Sequence, residues 1–263
     1  MSEWKRPPPD HIRLAYAGWQ WNRVWSHQAG AVYRLQAPSG KTRFLKMTAG
    51  ERALRLEAEA ARMRWARAYL PVPEVLDSGS RDGVDWLVTG GLPGRDGTDP
   101  ELLSEPAALV AALARGLRRF HEAAPVAGCP FDFRLDVALE HVRRRAADGL
   151  IDPGVDFHPE HQGLSVSEAI ARLEADRPSE DEVVVCHGDY CFPNALIDGG
   201  EVVGYVDLGE LGIADRWWDL AFAAWSTTWN VGPGYEGLFL AAYGARPDPA
   251  RIAYYRLLYD LAS

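Results

Sequence analysis

Between Cys186 and Asp207 the chain carries an acid, an amide and a second acid whose types and spacing could do chemistry: Asp189, Asn194 and Asp207. An amide oxygen and a carboxylate are hard oxygen ligands, of the kind Mg²⁺ takes when it is also bound to phosphate oxygens. That leaves Asp189, at the crest of Cys186-His187-Gly188-Asp189, as a carboxylate able to act as a base. The elements that must position these groups follow from pattern. Val183-Val184-Val185 is a short β-branched run that reads as a strand, and Gly199-Gly200 between two alternating segments is a two-residue hairpin signal. Counting back from that turn sets Asn194 opposite position 205, with Asp207 about 7 Å farther along the partner strand. On this count Asn194 and Asp207 can share one ion.

The surrounding chain has 263 residues, 47% hydrophobic and 25% charged, enough to bury a sizeable core as one two-lobed unit or two small domains. No apolar run approaches a membrane span and the start, Met1 to Pro9, lacks a signal-peptide core, so a cytoplasmic, membrane-free protein is expected. Three cysteines, Cys129, Cys186 and Cys191, have no zinc spacing and read as reduced thiols. A net charge of −9 argues against nucleic acid and for a cationic partner.

Toward the N-terminus the Pro-rich opening reads as loose, and Trp19, Trp21 and Trp25 fall at strand-like spacing with packing as their role. Thr42 to Met47 alternates, which sends Phe44 and Lys46 to one face. Gly40-Lys41-Thr42 is not a Walker motif, because the earlier glycine it needs would sit at Leu35 and a strand follows. A helix is predicted over Glu51 to Tyr69, stopped by Pro71. Trp86 to Thr89 is an apolar strand running into the Gly-rich Gly90 to Gly97, which opens no helix and so reads as a hinge. Beyond it helices are predicted over Pro106 to Ala123, Leu135 to Asp148, Ser167 to Glu174, Leu220 to Thr227, Tyr235 to Tyr243 and Ile252 to Leu261. His121-Glu122 is not a zinc motif, since the second histidine would fall on Pro125.

In this order Asp189, Asn194 and Asp207 resemble the catalytic loop and metal aspartate of protein-kinase-like enzymes. His187-Gly188-Asp189 is similar to the aminoglycoside phosphotransferases, which carry His-Gly-Asp where protein kinases carry His-Arg-Asp. The strings Gly204 to Gly209 and Gly212 to Ala221 resemble the aminoglycoside 3′-phosphotransferases, the neomycin and kanamycin kinase type. The resemblance implies an α+β, two-lobed protein-kinase-like fold. Residues 1–91 would form a small β-sheet lobe with one helix that binds nucleotide, and residues 92–263 a larger, mainly helical lobe for catalysis and aminoglycoside binding.

It also implies the activity: transfer of the γ-phosphate of ATP, with Mg²⁺, to the 3′-hydroxyl of an aminoglycoside, by a monomer or weak homodimer. Asp189 would be the catalytic acid-base, and Asn194 and Asp207 the metal ligands. Lys46 would hold the nucleotide phosphates, paired with Glu57 or Glu59, of which the spacing to Leu70-Pro71-Val72-Pro73 favours Glu59. Phe44 would pack on adenine while the backbone of Thr89 and Gly91 bonds its edge. Asp156 and Glu160, in an acidic loop, and Asp260 near the C-terminus would bind the substrate's amines, and His187 and Asp219 would brace the catalytic loop. The chain departs from the pattern at Gln28, at Glu210, at the acid-free Trp225 to Asn230, and at Tyr259, which stands where the first of two adjacent acids is usual. A kinase-like enzyme for another small alcohol (an amino sugar, a macrolide, a choline-like compound) shares the same frame. A non-catalytic nucleotide-binding module is disfavoured because the lysine, aspartates and asparagine are all present.

Overall fold

The computed structural model describes residues 4–50, 56–180 and 182–262. Its chain divides into two compact units: Met1–Pro93 with Gly204–Gly209, and Gly94–Val203 with Glu210–Ser263.

The first unit runs α1 (Asp10–Ala15), β1 (Gln20–His27), β2 (Gly30–Gln36), β3 (Thr42–Thr48), α2 (Leu56–Ala66), β4 (Val75–Arg81) and β5 (Val84–Gly90). The strands form an antiparallel sheet in the order β1-β2-β3-β5-β4. Along β3 the side chains alternate: Leu45 and Met47 enter a core with Trp4, Ile12, Leu35, Trp86 and Val88, while Phe44 and Lys46 take the other face. Trp4 is only 5% exposed and α1 follows it, so the opening is not loose as its prolines suggest. Trp25, expected to pack, is instead 53% exposed. It lies on an edge strand just past a register break between Arg23 and Trp25, and such a bulge turns the following side chain away from its face. Of the helix predicted over 51–69, residues 51–55 lie outside the described residues. Its described part ends at Ala66, where Tyr69 and Leu70 donate their amides back to the Ala66 carbonyl ahead of Pro71.

The second unit begins with β6 (Arg95–Asp96), α3 (Pro100–Leu103), α4 (Pro106–Ala123), α5 (Leu135–Ala147) and α6 (Val166–Ala175). It continues through β7 (Val183–Cys186), a 3-10 turn (Phe192–Asn194), β8 (Ala195–Asp198), β9 (Glu201–Tyr205), β10 (Gly212–Asp215), α7 (Trp217–Asn230), α8 (Glu236–Tyr243) and α9 (Pro249–Ala262). The last two residues of β9 belong to the first unit. Leu109, Leu113, Leu117 and Phe120 form the buried face of α4, a stripe at helical spacing. A capping box, Ser165 with Glu168, opens α6. The helix α4 packs on α8, and α7 on α9.

The β8–β9 turn has Gly199 at φ 57° and Gly200 at φ 79°, both positive as a type I′ hairpin requires. Asn194 lies in the 3-10 turn and not in β8, so counting along the ladder from the hairpin stops one residue short of it. No helix among the described residues is long and apolar enough to cross a membrane.

Candidate active site

In the first unit, Lys46 Nζ donates to Glu59 Oε2 at 2.9 Å and to Asp207 Oδ1 at 2.7 Å. Strand β3 aims the lysine and α2 aims the glutamate. Glu57, two residues away on α2, faces elsewhere and accepts from Ser78 and Arg64. Burial alone would pull the lysine's pKa down, but the carboxylates of Glu59 and Asp207 outweigh it and hold the group above its ordinary value. Burial pushes the Glu59 carboxyl up, against the pull of Lys46. Asp207 has φ 60°, left-handed backbone that a short polar side chain adopts at some cost. Its side chain stays 40% exposed, with Oδ1 holding the lysine. Phe44 shares the Lys46 face and pairs across the ladder with the buried Thr89. The Gly91 amide donates to the Thr42 carbonyl at 3.1 Å, a contact that does not use the Gly91 carbonyl.

In the second unit, the loop leaving β7 is locked from beneath. Asp219, on the first turn of α7, is fully buried and accepts the His187 amide at 2.7 Å and the Gly188 amide at 2.9 Å. It also accepts from His121 Nε2 at 2.9 Å. Burial would raise the Asp219 carboxyl, but His121 and the loop amides bring it below its ordinary value. Gly188 has φ 93°, and a Cβ there would lie 2.4 Å from the Glu210 carbonyl, so this position of the loop is closed to any other residue. His187 is buried against Phe120 and Tyr190 and accepts the Asp189 amide on Nδ1 at 3.3 Å.

Asp189 is thus lifted into a half-buried position. Asn194 Nδ2 donates at 2.9 Å both to the Asp189 carbonyl and to its Oδ2. On the other carboxylate oxygen, the Tyr259 hydroxyl donates to Oδ1 at 3.0 Å. Taken each in its own unit, Asn194 offers an amide oxygen and Asp207 a carboxylate, hard oxygens of the kind a small divalent cation takes.

The expected amine-binding carboxylates divide. Asp156 is half-buried and accepts the Asp152 amide at 2.7 Å, closing a turn, and Glu160 is exposed with Arg256 at 3.7 Å. Asp260 is a correction: its side chain has no exposure and accepts from the His158 amide at 2.9 Å, His158 Nδ1 at 2.5 Å and His161 Nδ1 at 2.7 Å. A carboxylate so enclosed holds a loop and faces no ligand.

Sequence reasoning missed His121, His158, His161 and the Tyr259 contact. For His121 a signal was present, because a histidine on the buried stripe of α4 needs a polar partner. His121, Cys186 and Asp219 also bring possible metal-ligand atoms within 4.8 Å of one another. The Asp219 oxygens, however, are filled by three donors, and the Cys186 thiol, pushed well up by burial, donates to the Asp215 carbonyl, so the cluster is a hydrogen-bonded hub.

In one unit a β3 lysine paired with an α2 glutamate, and in the other a braced loop presenting aspartate and asparagine, are the features of phosphotransferases of kinase-like fold. The chain belongs to the phosphotransferase enzyme family (APH), which it matches over residues 20–255. It is 37% identical over 261 residues to an aminoglycoside 3′-phosphotransferase of Streptomyces fradiae, covering 94% of this chain and 97% of that one. Among solved structures it is similar to an aminoglycoside 3′-phosphotransferase of type VIII, with TM-score 0.83, 34% identity and coverage of 95% and 96%. It also resembles an aminoglycoside phosphotransferase of the 3″ class from Streptomyces rimosus in complex with ADP and streptomycin, with TM-score 0.76, 28% identity and 96% coverage of both chains.

Proposed function

We propose that this protein transfers the γ-phosphoryl group of ATP to the 3′-hydroxyl of an aminoglycoside antibiotic and so inactivates it. The observation that carries this reading is the half-buried Asp189, set on a loop fixed by Asp219 and flanked by Asn194. In the proposed reaction the acceptor hydroxyl oxygen forms a bond to the γ-phosphorus as the bond to the β–γ bridging oxygen breaks, and ADP leaves. Asp189 aligns the hydroxyl and takes its proton late, so an ordinary carboxylate suffices and catalysis is mostly positioning. Lys46, held by Glu59, binds the nucleotide phosphates, and Phe44 with the backbone of Thr89 and the Gly91 carbonyl receives adenine. Mg²⁺, with Asn194 and Asp207 as its protein ligands, would neutralise phosphate charge. Residues 1–91 serve the nucleotide and 92–263 the acceptor, with Asp156 and Glu160 facing its amines. The reading includes a cytoplasmic monomer or weak homodimer.

A second regiochemistry is favoured by one observation, the likeness to the 3″ enzyme solved with streptomycin. The test is incubation with ATP, Mg²⁺ and a panel of kanamycin, neomycin, a 3′-deoxy analogue and streptomycin, followed by location of the phosphate by NMR. Loss of product with the 3′-deoxy compound alone supports the 3′ reading, and product with streptomycin alone replaces it. Asp189→Ala should keep nucleotide binding and lose about 10³-fold in turnover. Near wild-type turnover in that variant would remove Asp189 from the chemistry.

A further inference from the structure

We infer that Tyr259 is a positioning residue for the proposed acid-base, a role that rests on the phosphotransfer reading. Its hydroxyl donates to Asp189 Oδ1 at 3.0 Å, and its ring is stacked on Phe222 with centroids 3.8 Å apart and planes at 17°. Phe222 and Tyr259 lie on α7 and α9, so packed helices fix the phenol before any substrate arrives. Burial first, and then the facing Asp189, push the phenol well above its ordinary value, which keeps it a donor.

An ionised carboxylate has about four lone-pair directions on its two oxygens. Tyr259 fills one on Oδ1 and Asn194 Nδ2 one on Oδ2, so the carboxylate plane is held from both ends. With its plane fixed, Asp189 offers an incoming hydroxyl a small set of directions, which is how a reacting alcohol is held in line.

Tyr259→Phe keeps the ring on Phe222 and removes only the hydroxyl. In the full-length protein it should lower kcat about tenfold and leave KM for ATP within about twofold, the size expected for one hydrogen bond to a charged group. In an Asp189→Asn background the same change should cost nothing further. Carbon-13 labelling at tyrosine Cζ reads the contact without any acceptor: the Tyr259 resonance, assigned by its loss in Tyr259→Phe, should deprotonate at lower pH in Asp189→Asn than in wild type. A wild-type kcat in Tyr259→Phe, or a resonance indifferent to Asp189→Asn, overturns the inference. Absence of transfer by the wild type to every acceptor overturns the phosphotransfer reading instead, and the resonance then decides the contact by itself.

Discussion

Two loops of the helical unit are fastened in the same way and with different materials. The loop after β7 is tied to Asp219 of α7, and the acidic loop at 150–164 is tied to Asp260 of α9; both carboxylates are shut away from solvent. Asp219 grips the first loop by two main-chain amides, with His121 of α4 completing its shell. Asp260 grips the second by one amide and two imidazoles, His158 and His161. An amide always carries its hydrogen, whereas an imidazole must carry one on the nitrogen that faces the carboxylate. The β7 loop is therefore fixed by backbone, whatever its side chains, and Asp189 inherits that rigidity. The second loop depends on two particular residues, and His158 also stacks on the exposed Trp229, 4.7 Å between centroids. Burial thus separates these aspartates: Asp219 and Asp260, fully enclosed, hold loops, while Asp189 stays half-buried.

The comparison breaks first at Asp219. Asp219→Ala strands two amides and an imidazole in a dry interior and should cost on the order of 3–5 kcal/mol, measured by chemical denaturation. A loss below about 1 kcal/mol would mean the loop is held by something else. Asp260→Ala should cost about 2 kcal/mol, less because His158 reaches water. Hydrogen exchange should then quicken over 150–164 and leave 186–194 protected; equal loosening of both loops would dissolve the distinction.

The smallest effect is on acid stability. Burial pushes both carboxyls up, but their donors bring each below its ordinary 3.8 in the folded protein. Their stabilisation is therefore complete above the unfolded value and disappears as pH falls through the lower folded value. Melting temperatures recorded between pH 6 and pH 2 should fall at the acid end, with a shallower fall in Asp260→Asn. An unchanged slope there would show that Asp260 is not held as an anion.

Much of this was legible beforehand. The helices Pro106–Ala123 and Leu135–Ala147 and the strand Thr42–Thr48 follow from apolar periodicity and prolines, which act locally. The Lys46–Glu59 pair was within reach because period two fixes the lysine's face, leaving two glutamates to choose from. What stayed hidden came from long separations. Nothing near residue 260 says that its carboxylate meets His158 and His161, about a hundred residues earlier, and nothing near Tyr259 points to Asp189. The ladder count failed at Asn194 because a 3-10 turn intervenes before β8.

The sequence by itself determined which residues are candidates for chemistry, since Asp189, Asn194, Asp207 and Lys46 are picked out by residue type and local order, and it determined most of the elements that bear them. Only the tertiary structure decided which aspartates are open and which enclosed. That choice depends on donors brought together from distant helices, where a buried carboxylate is stable only if several of them converge on it.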